Sequence, residues 1–264
     1  MGRAELLPAA GAAFDAIAES FDATFDPWLS VAAQRRAVRG ELLAAFPRGA
    51  SILEIGGGTG TDAAWLADQG RQVFLTDASP AMVDHASRKI GAANAQAIAA
   101  EELGQLAVSG RSFDGAFSNF AALNCVSELA PVGRSLARLV RPDGVAILVV
   151  FGCLSPGEFV TEAVRGRFGN CLRRRRRGDV RAALKGREFT VRYHRQADLE
   201  QALAPWFRLR SRKAVGLFVP PSAAEPWISR HPRLLRAMEA ADRVLGKRLP
   251  SLGDHVLYTF ERLR

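Results

Sequence analysis

The sequence predicts an α/β protein in which helices cover both faces of a mostly parallel sheet. From Ser51 onward, short apolar runs of strand length alternate with segments of helical spacing. The turn after the first run is rich in glycine, at positions 56, 57, 58 and 60. The chain has 264 residues, of which 48% are hydrophobic and 24% charged, so it is long enough and apolar enough to bury a full core.

Residues 1–48 precede the first predicted strand and are predicted to form a helical lid. In 9–25, four apolar residues follow each other at three- or four-residue spacings, which indicates an amphipathic helix: Phe14, Ile17, Phe21 and Phe25. A second helix is predicted from about Pro27 to Phe46, before Pro47 and Gly49. We expect the first helix to close over a ligand and to become ordered when the ligand binds.

Residues 49–151 carry the strand and helix alternation and are predicted to form the ligand-binding core. The predicted strands are 52–55, 73–76, 95–99, 113–118 and 145–151. The predicted helices between them are 63–68, 80–90, 101–107 and 131–140. Strand, helix, strand repetition of this kind is typical of a parallel sheet that is buried on both faces.

Two further segments follow the core. Residues 152–195 show little clear periodicity and are predicted to be an insertion after the fifth strand that helps to form the wall of a substrate pocket. Residues 196–264 are predicted to complete the sheet and to add a helix. In that part, helices are expected at 197–204 and 232–245, and strands at 207–219 and 255–260.

The net charge of +9 is concentrated in one segment. Between Arg165 and Arg195 lie eleven Arg and one Lys against two acidic residues, a local excess of +10. Five of these arginines are consecutive, Arg173 to Arg177. A solvated surface, a site for an anionic group of a substrate, and a nucleic-acid contact are all compatible with such a run. Because the patch is short and has few aromatic neighbours, we expect it to serve a small anionic or amphiphilic substrate, if any ligand, and nucleic acid is not expected.

Several classes of protein are not expected. The three cysteines are widely spaced and form no CxxC pair, so neither a disulfide framework nor a metal site is predicted. The longest apolar run, 145–151, is too short to span a membrane. The first residues lack the order of a secretory signal, and a cytoplasmic location is predicted. Nothing in the sequence predicts the oligomeric state.

The glycine-rich turn predicts a close approach of the backbone to a ligand. Gly56, Gly58 and Gly60 have GxGxG spacing, whereas the dinucleotide fingerprint is GxGxxG, so the spacing does not favour NAD. Asp77 ends the second predicted strand, a position from which a carboxylate can accept both hydroxyls of an adenosine ribose. An Asp at this position could equally cap the helix that follows. The pattern therefore indicates a nucleotide or adenosyl ligand.

These residues together resemble the class I S-adenosylmethionine-dependent methyltransferases. The resemblance rests on Glu54 before the glycines, on Asp77 followed by Ser79-Pro80, on 113–119 (FDGAFSN), and on 139–144 (LVRPDG). It covers about residues 14–151, and 255–260 resembles the antiparallel last strand of that family. The resemblance implies a doubly wound, Rossmann-like sheet of seven strands.

The resemblance also implies a cofactor site for S-adenosylmethionine. Glu54 would face the methionine amine, the 56–60 backbone would line the methionine and ribose, and Asp77 would hold the ribose hydroxyls. Relatives often have an Asp that bonds the adenine amine where this chain has Ala99. The complete set of implied cofactor-binding residues is Phe21, Glu54, Gly56, Gly57, Gly58, Gly60, Asp77, Ala78, Met82, Ala100, Glu101, Asn119 and Phe120.

The predicted activity is methyl transfer to a small-molecule acceptor, mainly through proximity and orientation. No nucleophile and base pair is visible, and Asn119 and His194 are the two candidate catalytic residues. An RNA methyltransferase and a noncatalytic adenosyl-ligand-binding protein are the alternatives. The sequence does not identify the acceptor atom.

Overall fold

The computed structural model of the chain describes residues 8–120 and 122–264. Residues 1–7 lie outside the described residues. They belong to the predicted lid and to the N-terminal segment that is not expected to be a secretory signal. A seven-stranded sheet forms the centre, in the order β3-β2-β1-β4-β5-β9-β8. The strands β1 to β5 run parallel, and β9 runs antiparallel to both β5 and β8. The predicted sheet of seven strands is thereby confirmed.

The elements have the following bounds. The helices are α1 (Ala9–Asp15), α2 (Ala18–Phe25), α3 (Leu29–Ala45), α4 (Thr61–Asp68), α5 (Pro80–Ile90), α6 (Gly104–Val108), α7 (Ala130–Leu139), α8 (Pro156–Val164), α9 (Gln196–Leu203) and α10 (Pro232–Leu245). The strands are β1 (Ser51–Ile55), β2 (Gln72–Asp77), β3 (Ala95–Ala97), β4 (Phe113–Ser118), β5 (Val140–Phe151), β6 (Asp179–Leu184), β7 (Arg187–Arg192), β8 (Phe207–Val215) and β9 (His255–Arg262).

Apolar side chains pack on both faces of the sheet, because successive residues of a strand point to opposite sides. Ile52 of β1 lies in a core with α3, α4 and α5, while its neighbour Leu53 lies in a second core with α6, α7 and α9. Ile147 and Leu148 of β5 divide between the two cores in the same way. This double cover leaves the carboxyl ends of the parallel strands as the edge at which a ligand can bind.

The N-terminal segment differs from its prediction, since 9–25 forms two helices and not one. The chain turns at Ala16 and Ile17, and the Ile17 side chain is buried against Met82 of α5. The apolar spacing across the turn is regular because both helices present their apolar faces to the same neighbours. Helical spacing alone therefore did not reveal the break.

The predicted insertion is more regular than its sequence suggested. Ser155 caps helix α8, because its hydroxyl accepts from the Glu158 amide at 3.2 Å, and Pro156 occupies the first turn. A separate two-stranded hairpin, β6 and β7, follows. Its turn, Lys185-Gly186, has positive φ at both residues (45° and 82°), as in two-residue hairpins that match strand twist. The boundaries at 48, 151 and 195 remain predictions.

Candidate cofactor and acceptor site

A cavity of about 350 Å³ lies at the carboxyl ends of β1, β2 and β4. Strand order reverses between β1 and β4, and ligands of open α/β sheets bind at such switch points. Twelve of the thirteen predicted cofactor-binding residues line the cavity: Phe21, Glu54, Gly56, Gly57, Gly58, Asp77, Ala78, Met82, Ala100, Glu101, Asn119 and Phe120. The structure thus brings together residues that are up to 99 positions apart in the chain.

The glycine turn leaves space only for backbone. A Cβ atom on Gly56 would lie 2.3 Å from the Ala122 Cβ, and one on Gly57 would lie 2.4 Å from the Leu75 Cδ1. Gly58 is different, because a Cβ there would meet no atom within 4 Å, although its φ of +55° disfavours any side chain. Gly58 also lines the cavity. At the glycine turn, the cavity is therefore lined by backbone atoms.

Gly60 lies outside the cavity lining and has another structural reason to be glycine. A Cβ at this position would lie 2.9 Å from the Ala86 Cβ, so the missing side chain lets the start of α4 pack against α5. Its φ of +76° at the N-terminus of α4 adds a second reason. Helix packing therefore accounts for the third glycine, and the cavity lining gives no support to Gly60 as a cofactor-binding residue.

The Glu54 carboxylate is the most strongly perturbed acid of the cavity. Its side chain is buried, and its Oε2 has no hydrogen-bond partner among the described residues. Burial, reinforced by the nearby Asp62 charge, raises the pKa of Glu54 well above its usual range. A buried carboxylate without a partner is an unfavourable state that a bound ammonium group would relieve.

Asp77 already accepts two backbone hydrogen bonds. Its Oδ2 accepts from the Gly58 amide and its Oδ1 from the Ser79 amide, each at 2.9 Å. Burial raises the pKa of Asp77, and these hydrogen bonds oppose that rise. Each carboxylate oxygen retains a second acceptor position, so the side chain can both cap the start of α5 and accept from a ligand. The carboxylate also fixes the glycine turn to the end of β2.

Asn119 and Phe120 follow β4 directly and are held in one conformation. The Asn119 Nδ2 donates to the Asp62 Oδ2 at 2.8 Å, and its Oδ1 accepts from the Phe120 amide at 2.9 Å. Phe120 has a φ of +45°, which is uncommon for a residue with a side chain. The Asn119 amide is therefore a positioning group for this turn, and its hydrogen bonds leave it no role as a proton acceptor.

Arg35 of α3 and Asp62 of α4 are among the cavity residues that were not predicted from the sequence. Asp62 accepts from the Arg39 Nε at 2.8 Å as well as from Asn119. The Arg35 Nε is buried, lies 3.7 Å from the Asp62 Oδ1, and has no hydrogen-bond partner among the described residues. The sequence shows the four-residue spacing of Arg35 and Arg39, but it does not show that both side chains lie beside Asp62 of α4.

A second group of lining residues comes from α1, the end of β5 and the 152–195 segment, and we call the part of the cavity that they line the acceptor half, for the role proposed below. Its walls are mostly apolar and aromatic, with three arginines: Phe14, Phe151, Arg173, Arg174, Arg181, Phe189, Val191 and Tyr193. Burial, with the nearby charges of Asp77 and Glu101, raises the pKa of Cys125 to about 12. Burial also raises the pKa of Tyr193. Both groups are protonated at neutral pH and are poor bases.

His194, a predicted catalytic candidate, does not line this cavity. Its ring is buried, and its Nε2 lies 2.9 Å from the Val126 carbonyl and 3.2 Å from the Leu123 carbonyl. Because carbonyl oxygens only accept, the Nε2 must carry the proton and donate. Burial lowers the pKa of His194. The ring fastens the end of β7 to the turn after β4 and gives no geometric support to a role as general base.

The five consecutive arginines divide into two groups. Arg173 and Arg174 line the cavity, but both pair with Glu158, and Arg174 also pairs with Asp254 at 2.7 Å. Arg175, Arg176 and Arg177 are exposed and do not line the cavity. The cavity therefore gives no support to a substrate contact for these three, because consecutive residues of this turn point in different directions.

Within residues 8–120 and 122–264, no group of three or more His, Cys, Asp or Glu side chains could hold a metal ion. Over the same residues, no helix is both long enough and apolar enough to cross a membrane.

Comparison with known proteins identifies one domain of the chain. Residues 52–144 match a family profile described as a methyltransferase domain. This match covers the glycine turn, Glu54, Asp77 and the β4 turn that form the cavity. Residues 52–144 form a methyltransferase domain. A search of the curated proteins finds no match.

Solved structures of methyltransferases share the fold of this domain. The complex of DhpI with S-adenosylhomocysteine is 20% identical, covers 97% of this chain and 95% of its own, and has a TM-score of 0.55. The 1,6-didemethyltoxoflavin N1-methyltransferase of Burkholderia thailandensis, with that compound and S-adenosylhomocysteine bound, is 22% identical, covers 97% and 89%, and has a TM-score of 0.54. At these identities the likeness is one of fold.

The cavity of the methyltransferase domain fits its cofactor, S-adenosylmethionine. The unpartnered Glu54 Oε2 suits the cofactor's ammonium group, and the unpartnered Arg35 Nε suits its carboxylate. The open face of Gly58 leaves the backbone free to approach a ligand. Ala78, Met82, Ile98 and Ala100 provide an apolar slot, in which adenine recognition would depend on packing and backbone groups.

Proposed function

We propose that this methyltransferase acts on a small molecule with an apolar body and an anionic group. The observation that supports this most is the roof over the acceptor half of the cavity. Phe14 of α1 and Phe189 of β7 meet above it with ring centroids 5.9 Å apart. A roof formed by the lid and the insertion leaves room for a small acceptor, whereas a folded polynucleotide needs an open surface.

In this proposal, the cofactor-binding residues have divided roles. Glu54 and Arg35 hold the amino-acid end, the Gly56 to Gly58 backbone lies along the chain of the ligand, and Asp77 accepts from the ribose hydroxyls. Asn119 and Phe120 lie beside the transferable methyl group. Met82 and Phe21 pack on the adenosyl part. When bound, S-adenosylmethionine supplies an electrophilic methyl group on a sulfonium sulfur.

The residues of the acceptor half orient the nucleophile and exclude water. The aromatic walls remove the acceptor from solvent, and fixed orientation of two reactants accounts for up to about 7 to 11 kcal/mol of a barrier. None of the described residues that line the acceptor half is a histidine or a carboxylic acid, and the Tyr193 hydroxyl there and the Cys125 thiol of the same cavity keep their protons. The acceptor half therefore offers no general base, and the acceptor atom would attack with its own lone pair.

Arg181 is the arginine that we assign to the anionic group. It lines the cavity from β6 and, unlike Arg173 and Arg174, lies in no ion pair with a described carboxylate. A guanidinium in this position would raise acceptor affinity without touching the cofactor. Replacement by Ser is expected to raise KM for the acceptor and to leave cofactor affinity unchanged. Arg187→Ser, exposed on the same hairpin but outside the cavity, is the matched control.

The proposal is tested by supplying the protein with S-adenosylmethionine and fractionated cell extract. We expect release of S-adenosylhomocysteine with the small-molecule fraction, together with a metabolite that has gained one methyl group in mass spectrometry. Activity that requires the RNA fraction and disappears after ribonuclease treatment would contradict the proposal. Cofactor binding without turnover in any fraction would instead favour a noncatalytic adenosyl-ligand-binding protein.

A further inference from the structure

Helix α8 has its polar side inward and its apolar side outward. Glu158 and Glu162 are only 4% and 5% exposed. On the opposite side, Phe159, Val160 and Val164 are exposed, Val164 to 84%. A helix on the surface of a domain ordinarily shows the reverse pattern.

The inward carboxylates explain how α8 is held in place. Glu158 pairs with Arg173 and Arg174, and the Glu162 Oε2 accepts from the Asn170 Nδ2 at 3.0 Å. These contacts attach the helix through polar groups, so its apolar residues are not needed for its own packing. Their exposure therefore leaves them available to another surface.

The exposed apolar face continues into the next turn of the chain. Phe168 is 73% exposed, and Leu172 is exposed as well. The turn lies against α8, since the Cys171 Sγ contacts the Phe159 carbonyl at 3.6 Å. We call Phe159, Val160, Val164, Phe168 and Leu172 the α8 patch.

Cationic side chains accompany the α8 patch. Arg167, Arg175, Arg176 and Arg177 are exposed, and none lies within ion-pair distance of a carboxylate in the part of the chain that the structure describes. Four positive charges of 165–195 are thus left uncompensated around the patch. Apolar side chains beside unpaired arginines are the combination by which peripheral proteins bind anionic lipid.

We propose that the α8 patch and its arginines dock this protein on an anionic membrane surface. The apolar side chains enter the boundary between headgroups and acyl chains, and the arginines contact lipid phosphates. A second copy of the chain is a poorer occupant, because a two-fold contact would bring two like-charged patches together. The proposal goes beyond methyl transfer and does not depend on the identity of the acceptor.

The test is co-sedimentation of the full chain with vesicles. We expect binding to vesicles of phosphatidylcholine and phosphatidylglycerol in equal proportion, little binding to phosphatidylcholine alone, and a steep loss of binding as salt is added. Arg175→Ser/Arg176→Ser/Arg177→Ser should weaken partitioning about 100-fold, and Phe159→Ser/Phe168→Ser by at least about tenfold.

Matched variants elsewhere serve as controls. Val108→Ser removes an exposed apolar side chain of α6, and Arg88→Ser/Arg138→Ser/Arg236→Ser removes three exposed arginines. Both controls should bind vesicles as the unchanged protein does. Affinity for S-adenosylhomocysteine, measured by titration, should be equal in all variants and shows that each is folded.

Three results would overturn the proposal. The first is equal binding of the unchanged protein to neutral and anionic vesicles, or none to either. The second is anionic binding that the patch and control variants weaken equally. The third is a dimer in analytical ultracentrifugation that Phe159→Ser/Phe168→Ser converts to a monomer, since a second copy would then cover the patch.

Discussion

Gly58 is the position where a single side chain should eliminate cofactor binding. Gly58 lines the cavity, and a Cβ there meets no protein atom within 4 Å, so we expect the branches of a valine to occupy ligand space. We expect Gly58→Val to abolish binding of S-adenosylmethionine in isothermal titration. Gly110→Val is the matched control, because Gly110 also has positive φ (+75°) and open space but lies outside the cavity. Normal binding by Gly58→Val would contradict the site assignment.

Asp77 serves the glycine turn and, as we propose, the ribose. Asp77→Ala is expected to weaken cofactor binding by about 1 to 3 kcal/mol, the range for a hydrogen bond to a charged acceptor. Part of this loss would come from the free Gly58 and Ser79 amides. Binding of an S-adenosylhomocysteine analogue without ribose hydroxyls separates the two effects.

The analogue should bind the unchanged protein more weakly than S-adenosylhomocysteine does, whereas Asp77→Ala should bind both ligands alike. If the analogue loses the same free energy with both proteins, Asp77 acts only as a cap of α5.

At the scale of the elements, two carboxylates hold the lid helices α1 and α2 against the core. The Asp15 Oδ1 accepts from the Ser79 hydroxyl at 2.8 Å and from the Ala81 amide at 2.9 Å. The Asp22 carboxylate accepts from the Thr59 hydroxyl at 2.5 Å and from the Lys89 ammonium at 2.6 Å. Burial raises the pKa of Asp22, but the contacts with Lys89 and Thr59 outweigh burial, and the net shift is downward. The stability that Asp22 contributes is therefore present above the pKa of the unfolded chain. It is lost as the pH falls through the lower pKa of the folded protein.

Removing both fasteners should let the lid open more often. We expect Asp15→Asn/Asp22→Asn to increase amide hydrogen exchange in 9–25 by about tenfold or more without ligand, and bound S-adenosylhomocysteine to restore most of the protection. Asp84→Asn, an exposed carboxylate of α5, is the control. Full protection of 9–25 in the ligand-free double variant would mean a fixed structural helix pair.

The sequence predicted elements well where short-range signals decide them. The apolar runs of β1, β2 and β4 are bounded by turns, and Pro232 to Leu245 has helical spacing that matched α10 to the residue. The signals for α8 and the hairpin were present as Ser155-Pro156 and Lys185-Gly186. We did not predict these elements, because α8 buries acidic side chains and because arginines interrupt the apolar residues of the two hairpin strands.

The residues of the site were predictable under the same condition, that a local pattern decides their position. Residues of the glycine turn and strand ends follow local patterns, and the cavity contains them. Arg35, Asp62 and the inward role of Arg174 depend on partners 27 to 80 residues away, on other elements. A single sequence carries no signal for such pairs, and His194 shows the converse, since only its carbonyl partners reveal its role.

At the scale of the whole molecule, one buried polar cluster joins three distant parts of the chain. Arg174 from the insertion pairs with Asp254 before β9, and the Gln34 side chain from α3 donates to Asp254 at 3.2 Å. The Gln34 Oε1 accepts from the His255 Nδ1 at 3.0 Å, and the His255 ring stacks on Phe151 at the end of β5. This cluster joins the insertion and the last strand to the sheet beneath the acceptor half of the cavity.

His255 should make the stability of the whole protein depend on mildly acidic pH. Burial lowers the pKa of His255 from 6.5 to about 4, a stronger effect than the opposing charge of Asp254, while Arg174 acts in the same direction as burial. The unfolded chain therefore binds an extra proton between those two values, so the free energy of unfolding falls as pH drops from 6.5 toward 4, by about 3 kcal/mol in total.

Denaturant unfolding at several pH values measures this slope. His255→Gln should flatten it, even if the variant is less stable at neutral pH, whereas His231→Gln, at an exposed histidine, should retain it. An unchanged slope in His255→Gln would show that His255 does not titrate in this range and that other groups, such as the buried carboxylates of the same cluster, cause the acid sensitivity.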